Sequence, residues 1–169
     1  MTKKVAVIMG SDSDLGTAEK VMEILEILKI PFVVRILSAH RTPNEVKEFA
    51  SAAEDNGFGV IVAVAGMAAH LGGVIASYTI LPVIGVPCKS KTLEGLDALF
   101  SMVQMPSGVP VATVAIDNGA NAAYLAAQII ALSDIELRDR LEQRRKTEAQ
   151  KVIRKDSSLS PQLSVEDYE

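Results

Sequence analysis

The chain has two histidines, His40 and His70, and each lies in a short segment that follows an apolar run. The segment 38–41 reads Ser-Ala-His-Arg, so it places an imidazole beside a guanidinium. An imidazole exchanges protons near neutral pH, and a guanidinium binds carboxylates or phosphates through a planar fork. The pattern predicts proton transfer on an anionic substrate, and the alternative for His40 is an ordinary surface histidine. For His70 the alternative is a histidine at a helix start whose ring bonds to the backbone.

A second polar segment, 10–14, follows the first apolar run and reads Gly-Ser-Asp-Ser-Asp. Serine hydroxyls and backbone N–H groups at a helix N-terminus favour a phosphate, which predicts a role for Ser11 and Ser13. A carboxylate there, that of Asp14, suits ribose hydroxyls and would repel a phosphate. Simple N-capping by Ser13 or Asp14 is the alternative. The dinucleotide-binding pattern G-x-G-x-x-G is absent from the sequence.

Three other segments have the composition of helix starts or connections. The segment 42–45 (Thr-Pro-Asn-Glu) predicts a capping box with proline at the first helical position, and it leaves 38–41 unexplained. The segment 133–136 (Ser-Asp-Ile-Glu) predicts a capping box that opens a last, charge-rich helix ending near residue 153. The segment 104–110 is rich in Pro and also contains Gly, and it either closes over the site or is only a connection.

The elements that position these segments follow from an alternation of apolar runs with helical patterns. Continuously apolar runs are typical of parallel strands that helices cover on both faces. Right-handed crossovers then predict an α/β fold, a three-layer doubly wound parallel sheet with flavodoxin-like strand order. Ligands of such sheets bind at the carboxyl ends of the strands, where the polar segments should meet. The predicted strands are 5–9, 32–37, 59–65, 82–86 and 110–116, and the predicted helices are 15–28, 43–56, 68–78, 93–103 and 119–132.

Composition excludes several classes of partner and compartment. The net charge of -4 argues against capture of nucleic acid or of an anionic membrane, which needs clustered basic residues. A lone cysteine, Cys88, is interpreted as a small core residue and fits the reducing cytoplasm. We expect neither a signal segment nor a membrane span, because the first strand begins at once and the apolar runs are interrupted.

The 169 residues suffice for one domain, which we place at 1–155, with a tail at 156–169. Mean hydropathy is +0.25, so the chain has more apolar surface than a small monomer usually buries. The helix predicted at 119–132 is apolar on nearly every face, which predicts burial against another subunit as well as against the sheet. The sequence therefore favours a homo-oligomer.

Four segments together resemble the N5-carboxyaminoimidazole ribonucleotide mutase family, the small PurE-type proteins of purine synthesis. They are 9–14 (Met-Gly-Ser-Asp-Ser-Asp), 38–43 (Ser-Ala-His-Arg-Thr-Pro), 68–71 (Ala-Ala-His-Leu) and 104–110 (Gln-Met-Pro-Ser-Gly-Val-Pro). The likeness extends from residue 5 to about residue 132. Two positions depart from the family pattern, since Met67 stands for a glycine and Gly72 for a proline.

The resemblance implies an isomerase that moves a carboxylate from N5 to C4 of aminoimidazole ribonucleotide, without a metal or other cofactor. It implies that His40 is the general acid and base, with His70 ranked second. Ser11, Ser13 and Asp14 would hold the phosphate and ribose, and Arg41 and Ser38 the anionic end. It also implies the flavodoxin-like fold and an octamer. The predicted substrate contacts are Ser11, Ser13, Asp14, Ser38, Ala39, Arg41, Gly66, Ala69 and Leu71.

Three other functions share parts of this pattern. The closest is direct carboxylation of aminoimidazole ribonucleotide by CO2. A receiver-type module would need an aspartate at the end of the third strand, where Ala65 and Gly66 stand. A flavin-binding electron carrier would need aromatic side chains to stack on its ring, and aromatic residues make up only 4% of the chain.

Overall fold

The computed structural model describes residues 3–159. Five strands alternate with helices, and a short 3-10 turn at Asp12–Asp14 precedes the first helix. No helix within 3–159 has both the length and the apolar composition needed to cross a bilayer. The strands are β1 (Lys4–Met9), β2 (Phe32–Ile36), β3 (Phe58–Gly66), β4 (Val83–Cys88) and β5 (Ala112–Thr113); the helices are α1 (Leu15–Ile27), α2 (Pro43–Ala52), α3 (Leu71–Ala76), α4 (Leu96–Val103), α5 (Gly119–Ile130) and α6 (Ile135–Leu159).

The strands form one parallel sheet in the order β2-β1-β3-β4-β5. The predicted α/β fold and flavodoxin-like order are therefore confirmed. In this order the chain reverses direction across the sheet between β1 and β3, and the loops after these two strands diverge to opposite faces. A crevice consequently opens at their carboxyl ends, beside Gly10 and Gly66.

Helices cover both faces of the sheet, so alternate residues of a strand enter two different cores. In β1, Val5, Val7 and Met9 pack with α1 and α5, whereas Ala6 and Ile8 pack with α2, α3 and α4. Both sets are at most 4% exposed, which explains why the strand is apolar without interruption. The two cores fix the sheet from both sides and leave its carboxyl edge to the loops.

All eleven predicted strands and helices are present, but several differ in length from the prediction. The strand predicted at 110–116 retains only Ala112–Thr113, because β5 lies at the sheet edge and pairs with β4 alone. The helix predicted at 68–78 begins at Leu71, since residues 67–70 form tight turns with hydrogen bonds two residues apart. The last helix continues past residue 153 to Leu159, and residues 160–169 of the predicted tail lie outside the described residues.

Both predicted capping boxes are wrong in detail. The backbone N–H of Leu137 donates to Asp134 Oδ1 at 2.9 Å, so Asp134 caps α6 and the Ser133 hydroxyl instead donates to the Ile130 carbonyl. Burial of Leu137, which is 0% exposed, explains this register. At α2, Thr42 is the N-cap residue and Pro43 holds the first helical position, but Thr42 makes no side-chain cap bond.

The connection 104–110 does not cover the crevice of its own chain. It joins the end of α4 to the start of β5, so it lies at the amino edge of the parallel sheet, opposite the crevice. The Met105 side chain there packs against Gly73, where an added Cβ would approach its sulfur to 2.9 Å. Within one chain, the segment 104–110 is therefore a connection between α4 and β5 and does not close over the site.

Candidate active site

A cleft of about 800 Å³ lies at the carboxyl edge of the sheet, where the loops after all five strands meet. Nine of the eleven predicted site residues line it, and they are Ser11, Ser13, Asp14, Ser38, Ala39, His40, Arg41, Gly66 and Leu71. His70 contacts the cleft residue His40. Ala69 is 1% exposed within the core beside α2 and α3, so its predicted contact with substrate stays a prediction.

The two histidines meet although 30 residues separate them in the sequence. His40 Nε2 lies 3.0 Å from His70 Nδ1, and the rings are nearly perpendicular, at 84°. One of these two nitrogens must carry a hydrogen for the contact to be a hydrogen bond. If His40 Nε2 donates this hydrogen, His40 Nδ1 has a free lone pair when the ring is neutral and carries a hydrogen when the ring is protonated. The pair can therefore present a base or an acid at one fixed atom.

The loop that holds His40 is braced internally. The Ser38 N–H donates to Thr42 Oγ1 at 2.9 Å, and the Thr42 hydroxyl donates to the Ser38 carbonyl at 3.2 Å. This use of the Thr42 hydroxyl explains why it does not cap α2. The Arg41 N–H donates to Ser38 Oγ at 3.2 Å, and Arg41 Nη2 donates to the Gly10 carbonyl at 3.3 Å. Arg41 thus crosses from the β2 loop to the β1 loop, and its guanidinium is close to the predicted phosphate-binding segment.

The β1 loop forms a reciprocal cap around its 3-10 turn. The Ser13 N–H donates to Ser11 Oγ at 3.3 Å, while the Ser11 N–H donates to Asp14 Oδ2 at 3.1 Å. Asp14 is only 8% exposed, and burial, opposed by the bond from Ser11, raises the pKa of its carboxyl group. Removing a carboxylate from water at the wall of a cleft lowers the stability of the folded protein. Carboxyl groups whose pKa is shifted in this way are common at functional sites.

Sequence reasoning missed the far wall of the cleft. Lys89, Ser90, Lys91 and Thr92 line it after β4, as do Thr17 in α1 and Asp117 after β5. These residues belong to no polar motif, and Asp117 and Thr17 are 100 positions apart. The sequence signals were positions after predicted strands, at the edge where ligands bind. Asp117 directly follows the predicted strand 110–116, and residues 89–92 come shortly after the predicted strand 82–86.

Cys88 has both a core and a cleft side. The residue is 6% exposed and belongs to the core beside α1 and α5, which agrees with its interpretation as a small core residue. The residue also lines the cleft. Burial, followed by the charge of Asp14, raises the pKa of Cys88 to about 12. The neutral thiol is therefore the form present at physiological pH.

The side chains that could bind a metal ion do not cluster in the described part of the chain. Within residues 3–159 no group of three or more His, Cys, Asp or Glu side chains is arranged to hold a metal ion. The cations that line the cleft are Arg41, Lys89 and Lys91, and its acids include Asp14 and Asp117. Such a lining suits an organic anion that also carries hydroxyl groups.

Comparison with known proteins agrees with this geometry. The family model described as AIR carboxylase matches residues 4–151, almost the whole described chain. The chain belongs to this family. It is 54% identical to the N5-carboxyaminoimidazole ribonucleotide mutase of Pyrococcus horikoshii over 92% of this chain and 88% of that protein. It is 52% identical to the Escherichia coli (strain K12) protein of the same name, over 89% and 90%.

A solved structure has a matching fold. The crystal structure of Treponema denticola PurE superposes with a TM-score of 0.85 at 34% identity, covering 92% of this chain and 98% of that one. The resemblance inferred from the four sequence segments is confirmed by this match and by the family assignment.

Proposed function

We propose that the protein is an N5-carboxyaminoimidazole ribonucleotide mutase, an isomerase of de novo purine (IMP) biosynthesis. It converts the N5-carbamate of aminoimidazole ribonucleotide into the C4-carboxylate. The observation that carries the proposal is the His40–His70 contact of 3.0 Å beside a cleft with the predicted phosphate and ribose residues. The names of the family relatives support the same assignment.

The first step is decarboxylation assisted by a proton. Protonated His40 gives its proton to N5 while the N5–carboxyl bond breaks, and the bonding electrons remain on nitrogen. The products are CO2 and the neutral aminoimidazole nucleotide. His40 is left as the free base, and general acid catalysis of this kind contributes roughly 10²–10⁴-fold.

The second step returns the carboxylate to carbon. The electron-rich C4 attacks CO2, so a carbon–carbon bond forms and C4 carries both a hydrogen and a carboxylate. Neutral His40 then removes the C4 proton, which restores the aromatic ring and the protonated histidine. Protons balance over the two steps, and neither an oxidant nor a nucleoside triphosphate is consumed.

The remaining residues bind and orient the substrate. Ser11, Ser13 and Asp14 hold the phosphate and ribose, while Arg41 and Ser38 contact the anionic end. His70 accepts Nε2–H of His40 and so fixes the tautomer in which Nδ1 faces the substrate. The other proposed contacts restrict water around the released CO2. They are Ala39 in the loop after β2, and Gly66, Ala69 and Leu71 between the end of β3 and the start of α3.

A comparison of two substrates tests the proposal. The protein is supplied with the N5-carbamate nucleotide, and separately with aminoimidazole ribonucleotide plus bicarbonate, and initial rates of C4-carboxylated product are compared. We expect a clear preference for the carbamate. Faster product formation from the uncarboxylated nucleotide would assign direct carboxylation, the activity that the family model's description names, and would overturn the mutase proposal.

We also propose a cytoplasmic homo-octamer. One side of α4 and the preceding loop carries four apolar side chains at helical spacing, Leu93, Leu96, Phe100 and Val103, each about half exposed. Such a stripe on a chain with a mean hydropathy of +0.25 suits contact with a second copy. Light scattering should give eight times the chain mass of 18.0 kDa, and a monomer mass would contradict the proposal.

A further inference from the structure

The loop 89–95 after β4 forms a wall of the cleft, and its position depends on residues far away in the sequence. Strand order places β4 and β2 on opposite sides of the β1–β3 pair. The loop after β4 therefore faces the cleft from the side opposite Arg41. Lys89, Lys91 and their neighbours supply its polar surface.

Asp117 connects this loop to α1. Its Oδ1 accepts the Lys89 N–H at 2.9 Å and the Thr17 hydroxyl at 3.3 Å. Its carbonyl accepts from Lys20 Nζ at 3.2 Å, and its N–H donates to the Pro87 carbonyl at 2.9 Å. Asp117, in the segment that follows β5, thus connects the end of β4 to Thr17 and Lys20 of α1.

The backbone at this junction is tightly packed. An added Cβ at Gly119 would lie 2.3 Å from the Thr17 carbonyl, so only glycine lets the Asp117 segment lie against α1. An added Cβ at Gly95, which has a φ of +91°, would lie 2.8 Å from Ile116 Cγ2. Both ends of the loop are therefore held by the segment that contains Asp117.

Asp117 makes these contacts while its own backbone is in an uncommon conformation. Its φ is +56°, in the left-handed region, and Met67 and Glu94 share that region at +55° and +54°. All three follow strands at the carboxyl edge of the sheet, whereas Lys29, the fourth such residue within 3–159, lies at the other edge. Non-glycine residues in this conformation tend to cluster at functional sites, because the surrounding contacts must enforce them.

The loop presents two cations that differ in their partners. Lys89 forms an ion pair with Glu94 inside the loop. Within residues 3–159 the ammonium group of Lys91 has neither a hydrogen bond nor an ion pair, although the residue lines the cleft. An anionic ligand can therefore take Lys91 as a partner without breaking an existing contact.

We propose that Asp117 is a positioning residue that holds loop 89–95 against α1 and so places Lys91 for an anionic group of the bound nucleotide. This assignment rests on the proposed function, because it takes the ligand to be aminoimidazole ribonucleotide. Asp117 acts through the loop and does not touch the reacting atoms.

Three variants test the assignment through the dissociation constant of aminoimidazole ribonucleotide, measured by titration calorimetry without turnover. Asp117→Gly removes the acceptor but tolerates the left-handed backbone, and we expect binding to weaken about 10-fold, the size of one charge-assisted contact. Asp117→Asn keeps an acceptor and tolerates the same backbone, so binding should stay within about 3-fold of the parent. Lys91→Met should weaken binding as much as Asp117→Gly does.

The double variant with Asp117→Gly and Lys91→Met decides whether the two residues act together. Because Asp117 acts through Lys91, we expect the double variant to bind no more weakly than either single variant. Lys29→Gly is the matched control, since it relaxes a left-handed residue at the opposite edge and should leave binding unchanged. Urea unfolding of each variant checks that the compared proteins are folded.

The outcomes separate this inference from the function on which it rests. If the parent binds the nucleotide and makes product but the Asp117→Gly variant binds equally well, only the positioning role is overturned. Additive losses in the double variant would also overturn it. If the parent neither binds the nucleotide nor forms product, the proposed function fails and the inference fails with it.

Discussion

His40→Asn should lower kcat roughly 10²–10⁴-fold, the usual range for removing a general acid and base. In the proposed mechanism the asparagine amide can neither give a proton to N5 nor remove one from C4, so both chemical steps lose their proton carrier. Nucleotide binding should persist, because the loop that holds residue 40 is braced by Ser38 and Thr42. Single-turnover product formation and the dissociation constant of aminoimidazole ribonucleotide measure the two effects.

Two substitutions at His70 show whether it acts through His40. His70→Asn keeps an acceptor near the position of Nδ1, so the preferred tautomer of His40 should survive and most activity should remain. His70→Leu removes the acceptor, and we expect a loss of about 10-fold or more in kcat, with binding retained. Equal losses in both variants would contradict the tautomer role, and near-normal activity of His40→Asn would remove His40 from catalysis.

The parts of the site that sequence could predict are those that depend on local order along the chain. Parallel strands bring the segments after them to one edge, so the meeting of 10–14 with 38–41 followed from the alternation of strands and helices. The same argument brought His70 to the edge where His40 lies. It did not predict the 3.0 Å contact, which depends on the start of α3 at Leu71.

The missed parts depend on contacts that no local pattern records. Asp117 reaches Thr17 across 100 positions, and its role needs a left-handed backbone that the residue type only tolerates. The start of α6 was predicted one residue early because Ser and Asp are both good caps, and the burial of Leu137 decides between them. The composition of loop 104–110 left open whether it closes over the site or is only a connection, and its order in the chain puts it at the amino edge.

Asp14→Asn should change activity and stability in opposite directions. The variant loses the carboxylate that we propose accepts from the ribose hydroxyls, and a hydrogen bond to a charged group of this kind accounts for roughly 10–100-fold in kcat/KM. The bond from the Ser11 N–H can persist, because the asparagine oxygen also accepts. A loss in kcat/KM of this size, measured with the N5-carbamate nucleotide, is the expected result.

The stability effect follows from the direction of the Asp14 pKa. Burial raises the pKa of this carboxyl above its ordinary value of 3.8, so the folded protein binds more protons than the unfolded chain between the two values. The free energy of unfolding therefore falls as pH rises through this window, and the full cost is present at pH 7. Asp14→Asn removes the charge and should raise the urea midpoint at pH 7.

The same linkage makes the gain in stability depend on pH. As pH falls through the folded-state pKa, Asp14 becomes protonated in the parent, and the advantage of asparagine should shrink until it disappears below 3.8. Asp12→Asn is the matched control, because Asp12 is an exposed carboxylate in the same turn. An advantage of Asp14→Asn that is constant with pH would show that the buried charge is not its cause, and the stability cost assigned to this carboxylate would then be wrong.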